Sequence, residues 1–463
     1  MSVAVVVTAT IGGVMSVIVD QNGKNILFTT TEIDVDQEVS VSQKALRKVL
    51  IASSLGNFVE WFDYASYGYL ATIIAVVFFP DISHSAALMA TFAIFAISFI
   101  IRPIGGIIWG SIGDRLGRRT ALSFSILIMS GATTLIALLP TYAQIGLMAP
   151  GLLLLLRMVQ GFSASGEYAG ATSFIAEYSP PYKRGLYTSL VPASTAAGLL
   201  AGSLMAAGLF GLLTPEQMKS FGWRLPFLLA LPLGLIGIYI RLKIEDTPKF
   251  RELETNHRVI ETPAKEIFTT YRREVITSIG VTSLNAVGFY LILSYMPTYL
   301  ITELQVGETE AFLTVSISLA VYVFSIFAMG AISDRIGRKV ALISASVLFI
   351  ILTVPLFALL DDATLTGIIL IQIAFGILLT VNDGTLPCFL TEIFPTRVRY
   401  SGFAFSFNTA QAFLGGTAPL IATFLIEVTG SKLAPAWYLV AIAAVSLIAM
   451  RGAKETAGKP LVD

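Results

Sequence analysis

Twelve apolar stretches, each able to cross the roughly 30 Å hydrocarbon core of a bilayer as a helix, run through this chain at about 48–79, 86–112, 120–139, 149–175, 186–213, 225–242, 275–300, 311–331, 338–359, 366–390, 401–427 and 434–451. In lipid every backbone N–H and C=O must be paired inside its own segment, so the pattern predicts an all-α membrane protein of twelve transmembrane helices. The composition fits: 55% of residues are hydrophobic and 13% charged, with mean hydropathy +0.79, where a soluble domain carries about 25% charged residues. The formal net charge is zero, with the charges gathered in short clusters between the apolar stretches, so bulk charge says nothing about an acidic or nucleic-acid partner, and no nucleic-acid partner is expected. The single cysteine, Cys388, excludes an intrachain disulfide or a cysteine-based metal site.

The loops orient the bundle. Lys44, Arg47 and Lys48 precede span one, and Arg115, Arg118 and Arg119 follow span two. Lys183 and Arg184 follow span four, Arg335, Arg338 and Lys339 span eight, and Arg397 and Arg399 span ten. Loops on the other side, such as 80–85, 140–145 and 361–364, carry almost no Lys or Arg, so the positive-inside rule puts both ends of the twelve-span unit in the cytoplasm. Residues 1–42 are an extension of uncertain structure. Val3 to Val19 is apolar but broken by Thr8, Thr10, Gly12 and Gly13 and lacks a basic flank, so it is a poor signal peptide. A disordered extension or an over-long start is expected there ahead of a thirteenth span.

The chain also repeats itself. Gly110-Ser-Ile-Gly-Asp-Arg-Leu-Gly-Arg-Arg-Thr120 returns as Gly330-Ala-Ile-Ser-Asp-Arg-Ile-Gly-Arg-Lys-Val340, and Glu177-x-x-Pro180-x-x-x-Arg184 returns as Glu392-x-x-Pro395-x-x-x-Arg399. Residues 43–240 and 274–463 are therefore read as two pseudo-symmetric six-helix bundles. The charged stretch 241–273, with Pro248 and Pro263, joins them as a cytoplasmic linker. Parallel halves of this kind place a solute site between them near the midplane and give alternating access by rocking.

The loop G-x-x-x-D-R-x-G-R-[RK] and its echo resemble the major facilitator superfamily over nearly the whole chain after residue 42. Gly56-Asn-Phe-Val-Glu-Trp-Phe-Asp-Tyr64, Arg102-Pro-Ile-Gly-Gly106, Arg157-Met-Val-Gln-Gly161 and Gly166-Glu-Tyr-Ala-Gly170 are similar to the metabolite:proton symporters within it. Ser294-Tyr-Met-Pro-Thr-Tyr-Leu300 and Phe394-Pro-Thr-Arg-Val-Arg-Tyr-Ser401 are similar to the proline/betaine transporters among those. The resemblance implies proton-coupled symport of a zwitterionic osmolyte at a bacterial inner membrane. The alternative is an organic acid such as 2-oxoglutarate, citrate or shikimate. It also implies a cytoplasmic gate, to which we assign Asp114, Arg115 and Arg118, their counterparts Asp334, Arg335 and Arg338, and the repeated Glu177, Arg184, Glu392 and Arg399. The long coiled-coil tail of some osmosensing relatives is not seen before Asp463, so osmosensing by such a tail is not expected.

Ionisable residues inside spans are costly and therefore informative. Glu60, Asp63, Tyr64 and Tyr67 fall at i, i+3, i+4 and i+7, one stripe of a helix. Both histidines, His84 and His257, lie outside the spans, so carboxylates must carry any intramembrane proton; Glu60, Asp63 and Glu167 are the candidates, unranked. Candidate solute-binding residues are Trp61, Tyr64, Tyr67, Arg102, Arg157 and Tyr168 in the first half, and Asn285, Tyr290, Asn382, Asp383 and Asn408 in the second. The competing reading for the acids is a buried structural ion pair, and for the aromatics packing or an interface belt. No metal-ligand cluster, nucleophile–base spacing or phosphate-binding loop suggests an enzyme. The expectation is a monomeric carrier of a small solute, with the proton as coupling ion, the bilayer as its surroundings and no cofactor. A non-transporting sensor has no appended signalling domain in its favour.

Overall fold

The computed structural model describes residues 5–10, 13–19, 25–31, 43–243, 245–255 and 262–462. Two units result, Met1–Ser42 and Gln43–Asp463. In the first, β1 (Val5–Thr10), β2 (Gly13–Val19) and β3 (Asn25–Thr31) form an antiparallel meander in the order β1-β2-β3. Val5 pairs with Ile18 and Val14 with Thr31, with an irregularity at Ile18/Val19. These strands replace the disordered extension or extra span expected from the sequence. Valine and threonine are branched at Cβ and fit a pleated surface better than a helix.

The second unit is helical. Nine of its described helices are long and apolar enough to cross a membrane, and a bent pair makes a tenth. Numbered in chain order, the spans are α1 (Gln43–Tyr69, turning by 66° into Ala71–Phe78), α2 (Ala86–Leu116), α3 (Arg118–Leu138), α4 (Met148–Tyr178), α5 (Pro181–Leu212), α6 (Pro215–Leu242), α7 (Arg272–Thr302), α8 (Thr309–Ile336), α9 (Arg338–Leu360), α10 (Leu365–Ile393), α11 (Thr396–Thr429) and α12 (Ala434–Met450). Helix α4 stands apart because its second half is almost entirely buried and rich in small and polar side chains. Helix α12 has only 17 residues. Between α6 and α7 lie short helices Pro248–Thr255 and Pro263–Thr269; His257 is outside the described residues.

Three spans widen into π-helical turns, α6 at Met218–Gly222, α7 at Tyr290–Tyr295 and α11 at Gln411–Gly415. Such turns leave a local gap in the backbone ladder and concentrate at functional sites. The two six-helix groups pack mainly through α2 against α11 and α5 against α8, pairs related by the sequence repeat.

Candidate functional site

Three arginines and four acids occupy the interior away from the basic loops. On α1, Glu60 and Asp63 are each about 1% exposed. Arg102 Nη2 on α2 lies 3.1 Å from Glu60 Oε1, and Arg157 Nη1 on α4 lies 2.9 Å from Asp63 Oδ2. Gln160, one turn beyond Arg157, donates to Asp63 Oδ2 at 3.1 Å and accepts from Arg157 at 2.8 Å. Neither pair is saturated: Glu60 Oε2, Asp63 Oδ1, Arg102 Nε and Arg157 Nε and Nη2 are buried without a hydrogen-bond partner. Tyr64 and Tyr67, on the same stripe, spend their faces on guanidinium groups. The Arg102 and Arg157 carbons stand 4.8 and 4.9 Å from the Tyr64 ring, and Arg157 is 4.2 Å from that of Tyr67.

The third acid is held differently. Glu167 meets Arg241 through both oxygens and both terminal nitrogens, and Arg241 also donates to the Leu122 and Ala52 carbonyls. Arg241 closes the last turn of α6, a partner hidden by the assignment of residue 241 to the linker.

Between the halves lies a cavity of about 20 Å³ lined by Trp61, Tyr168, Pro192 and Thr195 on one side and Asn285, Phe289, Tyr322, Asp383, Phe407 and Gln411 on the other. That is room for about one water molecule, so the halves have closed upon it. Asp383 is 1% exposed and accepts from Tyr322 Oη and Asn285 Nδ2, each at 2.6 Å; Gln411 Nε2 in turn donates to Asn285 Oδ1 at 2.8 Å. The Tyr168 and Phe407 rings stack across the halves at 4.3 Å. Away from the basic loops, the halves meet ring to ring, Trp61 on Phe289 at 5.4 Å, Phe99 on Tyr290 at 5.9 Å and Tyr69 on Phe312 at 6.3 Å.

Of the residues singled out from sequence, Trp61, Tyr168, Asn285 and Asp383 line this cavity. Asn408 instead donates across the halves to the Ser165 carbonyl at 2.7 Å, Tyr290 sits under Phe99, and Asn382 is buried with neither amide atom hydrogen-bonded. Thr195, Tyr322 and Phe407 escaped notice. Tyr322 alone left a signal, as a hydroxyl in the midst of a strongly apolar span.

At the end bearing the basic loops, the repeat becomes a symmetric set of contacts across the halves. Asp114 at the end of α2 accepts from the Tyr400 and Ser401 amides in the first turns of α11, at 3.2 and 2.8 Å. Asp334 at the end of α8 accepts from the Gly185 and Leu186 amides near the start of α5, at 2.8 and 2.9 Å. Carboxylates at helix N-termini satisfy free amides and meet the positive end of the dipole. Glu177 pairs with Arg399 and Glu392 with Arg184, both at 2.7 Å. Arg118 and Arg338 tie each aspartate to its own loop, at 3.1 and 2.7 Å. Arg115 and Arg335 are exposed and take no part.

The sequence pattern of the Major Facilitator Superfamily matches residues 54–419 and 279–458. The chain belongs to the major facilitator superfamily. As a member it is a multi-pass membrane transporter. It is 38% identical over 438 residues to the glycine betaine/proline/ectoine/pipecolic acid transporter of Dickeya dadantii, covering 93% of this chain and 87% of that one. It is 38% identical to the proline/betaine transporter of Salmonella typhimurium, covering 90% and 85%, and 37% identical to a putative proline/betaine transporter of Staphylococcus aureus, covering 91% of each. Among solved structures, the proton:xylose symporter XylE bound to 6-bromo-6-deoxy-D-glucose superposes with a TM-score of 0.76 at 18% identity, over 90% of this chain and 98% of that one.

In this major facilitator chain the symmetry extends to two acids outside the spans. Asp246 in the linker accepts from the Arg118 and Arg119 amides at 3.1 and 3.2 Å, and Glu455 after α12 accepts from the Arg338 and Lys339 amides at 2.8 and 3.0 Å. Each clamps the start of α3 or α9 beside a glycine with φ near 100°, Gly117 at 97° and Gly337 at 101°. A side chain there would be strained and would occupy the carboxylate's place. Burial raises the Asp246 carboxyl above its ordinary value. For Glu455 burial acts in the same direction, but four backbone amides outweigh it and hold the carboxyl below its usual range. On acidification the Asp246 clamp is lost as the pH falls through its raised value, and the Glu455 clamp persists until the pH falls through its depressed one. Glu455→Gln removes one capping charge, and losing a cap costs about 1 kcal/mol. Hydrogen exchange at the Arg338 and Lys339 amides should then rise about fivefold, with the Arg118 amide unchanged.

Proposed function

We propose that this chain is a proton-coupled symporter that brings a small zwitterionic osmolyte, of the proline or glycine betaine kind, into the cell by alternating access. The observation that carries the coupling is the unsaturated state of the Glu60–Arg102 and Asp63–Arg157 pairs. A purely structural buried pair repays its desolvation only when its remaining donors and acceptors are satisfied, as they are between Glu167 and Arg241. Two pairs held by one contact each are poised to exchange partners. A proton arriving at Asp63 or Glu60 cancels the attraction to its arginine, and the freed guanidinium can take a solute carboxylate as a two-pronged donor. Release of solute lets the arginine return and expel the proton. Asp63 and Glu60 are thus the coupling acids, and Glu167 is assigned a structural role.

The basic end is the cytoplasmic gate on this reading, and the membrane is the bacterial inner membrane. Contacts across the halves at Asp114, Asp334, Glu177–Arg399 and Glu392–Arg184 hold the gate shut while the opposite end admits solute. The carrier works as a monomer, since each six-helix group finds its pseudo-symmetric partner within the chain. One proton crossing 100 mV supplies about 2.3 kcal/mol, enough for a solute gradient of roughly fortyfold.

The names of the relatives support the osmolyte, and the unpaired Asp383 on the cavity wall argues against a dicarboxylate. Purified protein in liposomes, given an inward proton gradient, is expected to accumulate labelled proline or glycine betaine, and to lose that accumulation with a protonophore. Accumulation of 2-oxoglutarate or citrate instead would replace the osmolyte reading. No gradient-driven uptake of any of the four would sink the symporter.

A further inference from the structure

Away from the gate, each acid buried in the first half has its own arginine: Glu60 has Arg102, Asp63 has Arg157 and Glu167 has Arg241. Asp383 has none. Among the described residues no cationic side chain pairs with it; its two oxygens are met by the neutral donors Tyr322 Oη and Asn285 Nδ2. The amide of Asn285 is oriented by the Gln411 donor on its oxygen, so the chain from Gln411 through Asn285 ends in an N–H aimed at the carboxylate. Both contacts have the polarity that a charged carboxylate requires. Among the described residues Asp383 is thus a buried carboxylate with no cationic side chain beside it, and it is on the cavity wall.

A buried charge without a partner is strongly unfavourable, so its counter-charge is best sought in what the cavity takes in. The other walls narrow the chemistry. Trp61, Tyr168, Tyr322 and Phe407 line the same space, and aromatic faces attract an alkylated ammonium that offers few or no N–H donors. We infer that Asp383 is the anchor for the positively charged nitrogen of the transported solute, a secondary or quaternary ammonium held between this carboxylate and those rings. The inference rests on the transport reading above and narrows its solute to molecules with a cationic nitrogen. Trp61, on the wall facing Asp383, has its Nε1 buried without a partner, and this is then a donor left for the solute's anionic end.

The placement also explains how binding closes the protein. Asp383, Tyr322 and Phe407 belong to one half and Trp61 and Tyr168 to the other. A cation between them is bound well only when the halves come together, which is the differential affinity that a population shift needs.

Equilibrium binding of labelled glycine betaine to the purified protein in detergent tests this, with tetramethylammonium, a cation lacking any carboxylate, as competitor. Tetramethylammonium is expected to compete, and D383N to weaken both by at least about thirtyfold, as for loss of one partner of a desolvated charge pair. D383E, which keeps the charge, should stay within about tenfold, and Y322F should cost about fivefold. Parental affinity in D383N overturns the anchor, and if gradient-driven uptake is then lost, Asp383 is a proton site instead. If D383N does not fold, unchanged affinity in both D383E and Y322F has the same consequence. Asp383-dependent binding of tetramethylammonium without binding of betaine or proline keeps the anchor and discards the osmolyte. Binding of 2-oxoglutarate alone discards both.

Discussion

Valine at Gly110 is expected to hold the transporter open to the cytoplasm and to cut uptake at least about tenfold. Helix α2 packs directly on the α11 backbone at this residue. Even a Cβ there would overlap Ser401 Cα and lie 2.9 Å from the Ser401 nitrogen. Both are backbone atoms, so no change of rotamer relieves the clash. Overpacking of this kind costs about 1–3 kcal/mol or more, which at 1.4 kcal/mol per decade moves a two-state equilibrium by roughly fivefold to more than a hundredfold. The penalty falls on the closed gate alone, because the helices part when the gate opens. Asp114, one turn further on, would also lose its hold on the Tyr400 and Ser401 amides. The chain's single cysteine reports the outcome. Cys388 is fully buried in the gate and donates its thiol hydrogen to Glu392, the partner of Arg184. Labelling of Cys388 by an impermeant maleimide from the cytoplasmic side should rise in Gly110→Val. A labelling rate equal to the parent's would show that α2 and α11 do not form the closing surface.

Much of this was legible before any coordinates. Hydropathy alone sets the spans, because lipid leaves a helix as the single economical way to pair a backbone. The contacts across the halves at the basic end were legible for a second reason: Asp114 and Asp334 recur in the same local spelling, and a repeat reveals the symmetry that brings one half's aspartate to the other half's helix start. What the sequence concealed was the choice of partner between spans. Glu167 could have met Arg157 on its own helix or Arg102 on a neighbour; it meets Arg241, whose position at a span end looked like the start of a linker. Asp383 was one of five polar candidates in the second half, and its place on the cavity wall depends on α8 presenting Tyr322 and α7 presenting Asn285 at the same depth. Asp246 and Glu455 share no flanking motif as clear as the Asp-Arg loops, so their equivalence emerged only from the amides they accept. The valine-rich start had two weak signals in conflict, apolar length for a span and Cβ branching for strands, and the strands prevailed.

The pair Asp63–Arg157 allows coupling to be separated from folding. Asp63→Asn leaves Arg157 buried and uncompensated, and breaking a buried pair from one side costs about 3–5 kcal/mol. Its yield and thermal stability should therefore fall together with gradient-driven uptake, and that result alone would not tell a proton site from a structural prop. Neutralising both partners is different. In Asp63→Asn/Arg157→Gln no charge is left stranded, and exchanging a buried pair for neutral groups of similar volume is often close to neutral for stability. Gln160 and Thr133, which already share the Asp63 network, remain to receive the new amides. The double variant is expected to recover the parent's thermal midpoint to within a few degrees yet to accumulate no solute against a gradient, because no carboxylate remains at this position to take the proton. Exchange of labelled for unlabelled solute, which needs no net proton movement, should survive at a reduced rate. Full gradient-driven accumulation by the double variant would reduce the pair to scaffolding and leave Glu60 as the coupling acid. Stability that stays low in the double variant would mean that the aromatic faces of Tyr64 and Tyr67 need the guanidinium between them, and Arg157→Lys in the parent background, which keeps the charge but not the planar group, would then lower stability as well.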